Sequence, residues 1–172
     1  AGTDAPFTGE SFAKVCFEAG VDGVIFFPMA GPETQNAWID AAKEKKLGVI
    51  VGGRMTHGSY VRSEGGYIAD DAVGAMYLAA ARKGVNHFVV PGNNLEMIKK
   101  IRDGLEASGV QPVFYAPGFV EQGGSISEAA RVAGDRWHAI VGRGIYWNKE
   151  ENRYNNSGEI REKVGVLVSQ LN

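Results

Sequence analysis

Five short apolar runs recur along the chain, at 24–27, 49–51, 88–90, 113–115 and 139–141. Each is continuous rather than alternating, the pattern of a buried parallel strand; a strand with one wet face would alternate. Between the runs, apolar residues return every three or four positions. Val73, Met76, Tyr77 and Ala80 follow Asp70, while Leu95, Ile98, Ile101 and Leu105 follow a capping pair at Asn93 and Glu96. Such spacing lays one stripe of a helix against a sheet. A last helix is expected through Ile160, Val164, Leu167, Val168 and Leu171, packed on the outside of the structure. Gly20, Gly48, Gly84, Gly109 and Gly134 each close a helix-like segment just before an apolar run, as left-handed C-caps do. Their spacings of 28, 36, 25 and 25 residues have the rhythm of βα units.

Five βα units in series, with polar and glycine-rich residues at the strand C-termini, predict an α/β fold: a (β/α)8 TIM-barrel type or an open doubly wound sheet. The count favours a barrel represented by about five of its eight units, because eight need roughly 200 to 250 residues and the chain has 172. Residues 1–172 read as a single, partial barrel domain. The first residue is Ala1 rather than Met, so a preceding segment is expected. Unpaired edge strands of such a sheet invite association, with that segment, a cleaved piece or a second copy.

Composition narrows the function classes. A net charge of -2 with 44% hydrophobic residues describes an ordinary globular protein. Lys and Arg are scattered, so nothing marks a nucleic-acid surface. No apolar run nears the roughly 20 residues of a membrane span, and no basic then apolar leader opens the chain. The lone Cys16, among Phe12, Val15 and Phe17, reads as a packing thiol in a reducing compartment, and a cytoplasmic location is expected. No second His or Cys stands at metal-ligand spacing from His57, so no metal is proposed. Trp38, Trp137 and Trp147 read as packing residues, and 147–156 as an exposed polar excursion.

Candidate chemistry gathers at the ends of the last two apolar runs. Pro117-Gly118-Phe119-Val120-Glu121-Gln122-Gly123-Gly124 and Val141-Gly142-Arg143-Gly144-Ile145-Tyr146 each pass from an apolar run into glycines and one strongly polar side chain. Glycines let backbone N–H groups approach an anion, and an arginine fork matches phosphate oxygens. Two such loops side by side make a phosphate site. Plainer roles exist for each residue: Arg143 as a surface cation, Gln122 as an exposed amide, Thr56 as a turn cap, Asp4 as a helix cap.

These motifs resemble the Pro-Gly-x-x-x-Gln-Gly-Gly and Val-Gly-Arg-x-Ile-Tyr segments of the orotidine 5'-monophosphate decarboxylase family. Phe17-Glu18-Ala19-Gly20-Val21-Asp22 is similar to the family's joint before its fourth strand, and Met55-Thr56-His57 to its Met-Ser-His after the fifth. Asp4-Ala5-Pro6-Phe7-Thr8 resembles the tail of Asp-x-Lys-x-x-Asp-Ile-Pro-x-Thr. The resemblance therefore runs from the end of the third barrel strand to the C-terminus. It implies cofactor-free decarboxylation of OMP to UMP in pyrimidine biosynthesis, with homodimers whose sites lie at the subunit interface. The resemblance puts Asp4 at the last catalytic aspartate, a position that in the family's dimers reaches a neighbouring subunit's site. By the same resemblance Thr8 falls at the threonine, Thr56 would bind the pyrimidine amide, Gln122 would bridge phosphate and base, and Gly123, Gly124, Gly142 and Arg143 would hold the phosphate. The same register sets Ala1 where the family has its catalytic lysine, so this polypeptide alone is expected to be inactive. Two other readings stand beside it: a noncatalytic nucleotide-binding relative, and a sugar-phosphate lyase of the hexulose-phosphate synthase or ketogulonate-phosphate decarboxylase kind.

Overall fold

A computed structural model describes residues 5–171. In chain order it contains α1 (Thr8–Glu18), β1 (Gly23–Phe26), α2 (Pro32–Glu44), β2 (Gly48–Gly52), α3 (Ala72–Arg82), β3 (His87–Val89), α4 (Leu95–Ala107), β4 (Val113–Pro117), α5 (Ile126–Ala133), β5 (Trp137–Ile140), α6 (Arg143–Tyr146), β6 (Trp147–Asn148), β7 (Arg153–Tyr154) and α7 (Ser157–Val168). Strands β1 to β5 form one parallel sheet in sequence order. Each helix touches the next, from α1 on α2 to α4 on α5. A doubly wound sheet would reverse its strand order and send helices to both faces. One unbroken order with one helix layer is barrel winding.

The core lies between that sheet and the helices. Val51, Phe88, Val90 and Phe114 meet Ile39, Tyr77, Ile98 and Leu105, all almost wholly buried. At the β1 side, Trp38 stacks on Phe12 at 4.8 Å and meets Phe26 edge-on at 5.6 Å. Helix α1 can come this close because position 9 is Gly: a Cβ there would lie 2.8 Å from Trp38 Cδ1. The tryptophan is therefore a packing residue, as its surroundings in the sequence suggest.

Several local expectations need correction. The runs predict strands sealed on both faces, yet Ile25 is 53% exposed and Ile140 40% exposed on the side away from the helices. His87, Tyr115 and His138 share that side, with Tyr115 stacked on His138 at 4.8 Å. The cap of α4 is Asn94, whose side chain accepts from Met97 N at 3.0 Å, rather than the pair Asn93 and Glu96. Gly48 begins β2 instead of capping α2; the left-handed residue there is Lys46, with φ of 60°. Asp70 does not cap α3 but accepts from Ser63. Cys16 is half-buried against the core rather than enclosed. Residues 147–154 form a small hairpin, and the buried Asn155 donates to Ile145 O at 2.6 Å, tying its return to α6. A capping box then starts α7: Asn156 accepts from Glu159 N, and Glu159 accepts from Asn156 N. Arg153 holds the Glu159 carboxyl down at about 2.

Tyr77 ties α3 to the strand ends. Its hydroxyl donates to Val89 O at 2.7 Å and accepts from Arg54 N at 3.2 Å. Burial pushes the phenol well above its usual range, so it stays a donor. Tyr77→Phe should cost about 2 kcal/mol, because it strands a buried carbonyl and a buried N–H. Chemical denaturation measures it; a change below about 0.5 kcal/mol would show those groups re-pairing.

Candidate functional site at the strand C-termini

All five parallel strands end at one rim, and the loops that leave β3, β4 and β5 interlock there. Gly92 N donates to Pro117 O at 2.7 Å, joining the β3 loop to the end of β4. The β4 loop, 118–124, closes on itself where Gly124 N donates to Gly118 O at 3.1 Å and Phe119 bridges Gly124. Its two ends sit directly on the β3 loop. A Cβ at Gly118 would come 3.2 Å from Asn93 N, and one at Gly124 would come 2.9 Å from Gly92 O and 3.1 Å from Asn93 Cα. Only glycine fits between two backbones at that separation.

The β5 side meets the same loop. Val120 abuts Gly144 of α6, where an added Cβ would lie 2.9 Å from Val120 Cβ. Val120 itself has φ of 67°. A β-branched residue in the left-handed region is strained, by an amount of order 1–3 kcal/mol, and such strain gathers at functional sites. Gly142 caps α6 with its carbonyl accepting from Ile145 N at 2.9 Å. Arg143 follows, exposed, with neither ion pair nor side-chain hydrogen bond among the described residues. Its five donors are thus free. Gln122 and Gly123 are likewise exposed at the turn of the β4 loop, and Gly123 holds φ of 76°. The sequence motifs at 117–124 and 141–146 therefore meet in space, as adjacent strands β4 and β5 require.

Thr56 stands on the loop after β2. Its carbonyl accepts from Asn93 Nδ2 at 3.1 Å, which links the β2 loop to the β3 loop and, through Asn93, to the 118–124 loop. Among the described residues no hydrogen bond engages its hydroxyl, so it does not cap the following turn. His57 is exposed and turned to its neighbour, Nδ1 lying 2.9 Å from Gly58 O. Thr8 lies across the sheet at the β1 side, its hydroxyl donating to Ala5 O at 2.6 Å, apart from the Arg143 loops. Asp4 lies outside the described residues. Among the described residues no cluster of three or more His, Cys, Asp or Glu is placed to hold a metal ion.

Two residues of this rim escaped the sequence reading. Asn93 was assigned to a helix cap, although it bridges three loops. Arg54 looked like any polar residue after a strand; it is buried. The only sequence signal for either was position, two residues past the end of β2 for Arg54 and four past the end of β3 for Asn93.

Comparison with known proteins agrees with this geometry. Residues 3–154 match the model of the Orotidine 5'-phosphate decarboxylase / HUMPS family. The orotidine 5'-phosphate decarboxylase of Methanosarcina acetivorans is 30% identical over 161 residues, covering 94% of this chain and 67% of that protein. That of Thermoplasma acidophilum is 28% identical over 167 residues, covering 97% of this chain and 70% of its own length. Among solved structures, orotidine 5'-monophosphate decarboxylase from Methanocaldococcus jannaschii complexed with the inhibitor BMP matches with a TM-score of 0.79 at 24% identity. It covers 99% of this chain, and the match takes in 71% of that one. The enzyme from Pyrococcus horikoshii matches with a TM-score of 0.70 at 25% identity, covering 98% of this chain and 70% of its own. The barrel winding, the paired glycine loops and a match extending over 3–154 converge: the chain belongs to the orotidine 5'-phosphate decarboxylase / HUMPS family.

Proposed function

We propose that this chain carries the phosphate- and pyrimidine-binding part of an orotidine 5'-monophosphate decarboxylase, a carboxy-lyase that converts OMP to UMP. The observation that supports it best is the free Arg143 beside the interlocked glycine loops. Gly123, Gly142 and Arg143 would hold the 5'-phosphate, the two glycines through backbone N–H groups and Arg143 as a fork, while Gly124, whose N–H is taken by Gly118 O, would shape the loop around it. Gln122 would bridge phosphate and base, Thr56 would meet the pyrimidine amide through its free hydroxyl, and Thr8 would contribute from the β1 side.

Decarboxylation leaves an electron pair on a pyrimidine carbon, and a nearby ammonium must stabilise it and deliver a proton. By the motif register that ammonium falls at Ala1 and the neighbouring carboxylate at Asp4. Turnover therefore needs a lysine that this polypeptide does not place there, and the chain by itself is expected to bind without converting. Phosphate contacts remote from the reacting carbon would still contribute by holding loops closed over it.

The exposed sheet face with Ile25 and Ile140 favours a covered state. Further parallel strands completing the barrel, or a second copy of the chain, would bury it. A homodimer and a cytoplasmic setting are part of the same reading; no helix among the described residues is long and apolar enough to cross a membrane. Isothermal titration of UMP against uridine tests the phosphate grip. UMP should bind at least tenfold more tightly, because uridine lacks the charge that Arg143 would pair. Equal affinities would contradict it.

A further inference from the structure

Arg54 is the second residue after β2, and only 6% of it is exposed. Arginine is rarely buried to that extent unless fully paired. Here the pairing is partial. Nη2 donates to Glu64, and Cζ lies 5.4 Å from the centroid of the Tyr60 ring, while Nε and Nη1 are buried with no hydrogen-bond partner among the described residues. Two unpaired buried donors cost stability, and an apolar side chain of similar volume would fill the space at lower cost.

What this arrangement supplies is geometry. Residues 54 and 64 bracket the segment that carries Thr56, and their ion pair closes it into a loop over one buried cation. The backbone of Arg54 is fixed as well, its N–H donating to Tyr77 at 3.2 Å. Tyr60, against the guanidinium, donates to Gly53 O at 3.1 Å and so pins the middle of the loop to its base. The returning chain presses on it: a Cβ at Gly66 would lie 2.1 Å from Tyr60 O. From outside, Asn93 holds the Thr56 carbonyl.

We propose that Arg54 is a positioning residue for the nucleobase end of the ligand, setting the place of Thr56 through its pair with Glu64 without touching the ligand itself. This rests on the assignment of Thr56 to the pyrimidine made above. A cation kept at this depth by one carboxylate and one ring specifies a single loop conformation, which a free surface loop lacks.

The test compares UMP with ribose 5-phosphate by isothermal titration on the wild-type chain, Arg54→Met, Arg54→Lys and Glu64→Gln. Amide hydrogen exchange over residues 55–60 is recorded on the same proteins. Arg54→Met and Glu64→Gln should weaken UMP about tenfold and leave ribose 5-phosphate within about twofold, with faster exchange over 55–60. Arg54→Lys, which keeps the charge, should restore part of the UMP loss. Unchanged UMP affinity in Glu64→Gln, or equal loss of both ligands, or unchanged exchange would overturn the proposal. Should Arg54→Met fail to fold, Glu64→Gln decides, because Glu64 is exposed and the amide keeps its shape. If the wild type binds neither ligand, the nucleotide reading fails by itself, and exchange over 55–60 still reports whether the pair orders the loop.

Discussion

Replacing Arg143 with Ala is expected to weaken UMP binding by roughly ten- to hundredfold. The estimate follows from losing a charge-assisted, two-pronged contact of about 1.5–3 kcal/mol, at tenfold for every 1.4 kcal/mol. The fold should not register the change. Arg143 is exposed and unpaired among the described residues, so its removal leaves no buried partner stranded and should move stability by less than about 0.5 kcal/mol. Uridine affinity should stay the same. Isothermal titration with both ligands reads this difference directly, and equal UMP affinity in the variant would remove Arg143 from the site.

Gly124→Ala is the second large effect, for a different reason. The added methyl would lie 2.7 Å from Gly118 O, 2.9 Å from Gly92 O and 3.1 Å from Asn93 Cα, all backbone atoms. No rotamer change relieves such a contact, so the β4 loop must lift from the β3 loop and loosen the Gly124 to Gly118 hydrogen bond. The cost to stability should be about 1–3 kcal/mol, as for an overpacked core, and UMP affinity should fall at least tenfold because the loop that would present the Gly123 N–H to the phosphate shifts with it. Gly123→Ala is the control. Nothing lies within 4 Å of its added Cβ, and its φ of 76° carries only the left-handed strain of about 1–2 kcal/mol. Thermal unfolding and titration of the two variants separate crowding from backbone strain, and a Gly124→Ala chain that binds UMP like the wild type would contradict the loop geometry.

Much of the fold was legible because each apolar run and each helical stripe is local. The residues from 113 to 115 state a strand wherever they stand, and Leu95, Ile98, Ile101 and Leu105 state a buried helix face. Coverage of the second sheet face is different. Ile25 and Ile140 have the composition of interior residues, yet their exposure depends on which strands flank β1 and β5, which no window of sequence reports. The hairpin at 147–154 was missed because strands of two residues carry no periodicity; its turn is built by Asn148 Oδ1 accepting from Glu150 N and Glu151 N, and by Asn152 with φ of 50°. Lys46 took the left-handed position expected of Gly48, since the chain turns two residues before the glycine.

The candidate site divides in the same way. Glycine-rich loops after adjacent strands were readable, because β4 and β5 must bring their ends together. Arg54 was not, because its burial depends on Tyr60 and Glu64 closing over it, six and ten residues further along. Asn93 was missed because a side chain that reaches Thr56 across 37 residues has no local signature.

A crystal structure of this chain with UMP tests the central claim most directly. The account predicts phosphate density between the 118–124 loop and residues 142–143, with the Arg143 guanidinium turned onto its oxygens. Nucleotide density at any other part of the sheet rim, or an Arg143 side chain pointing away from a phosphate bound there, would contradict it.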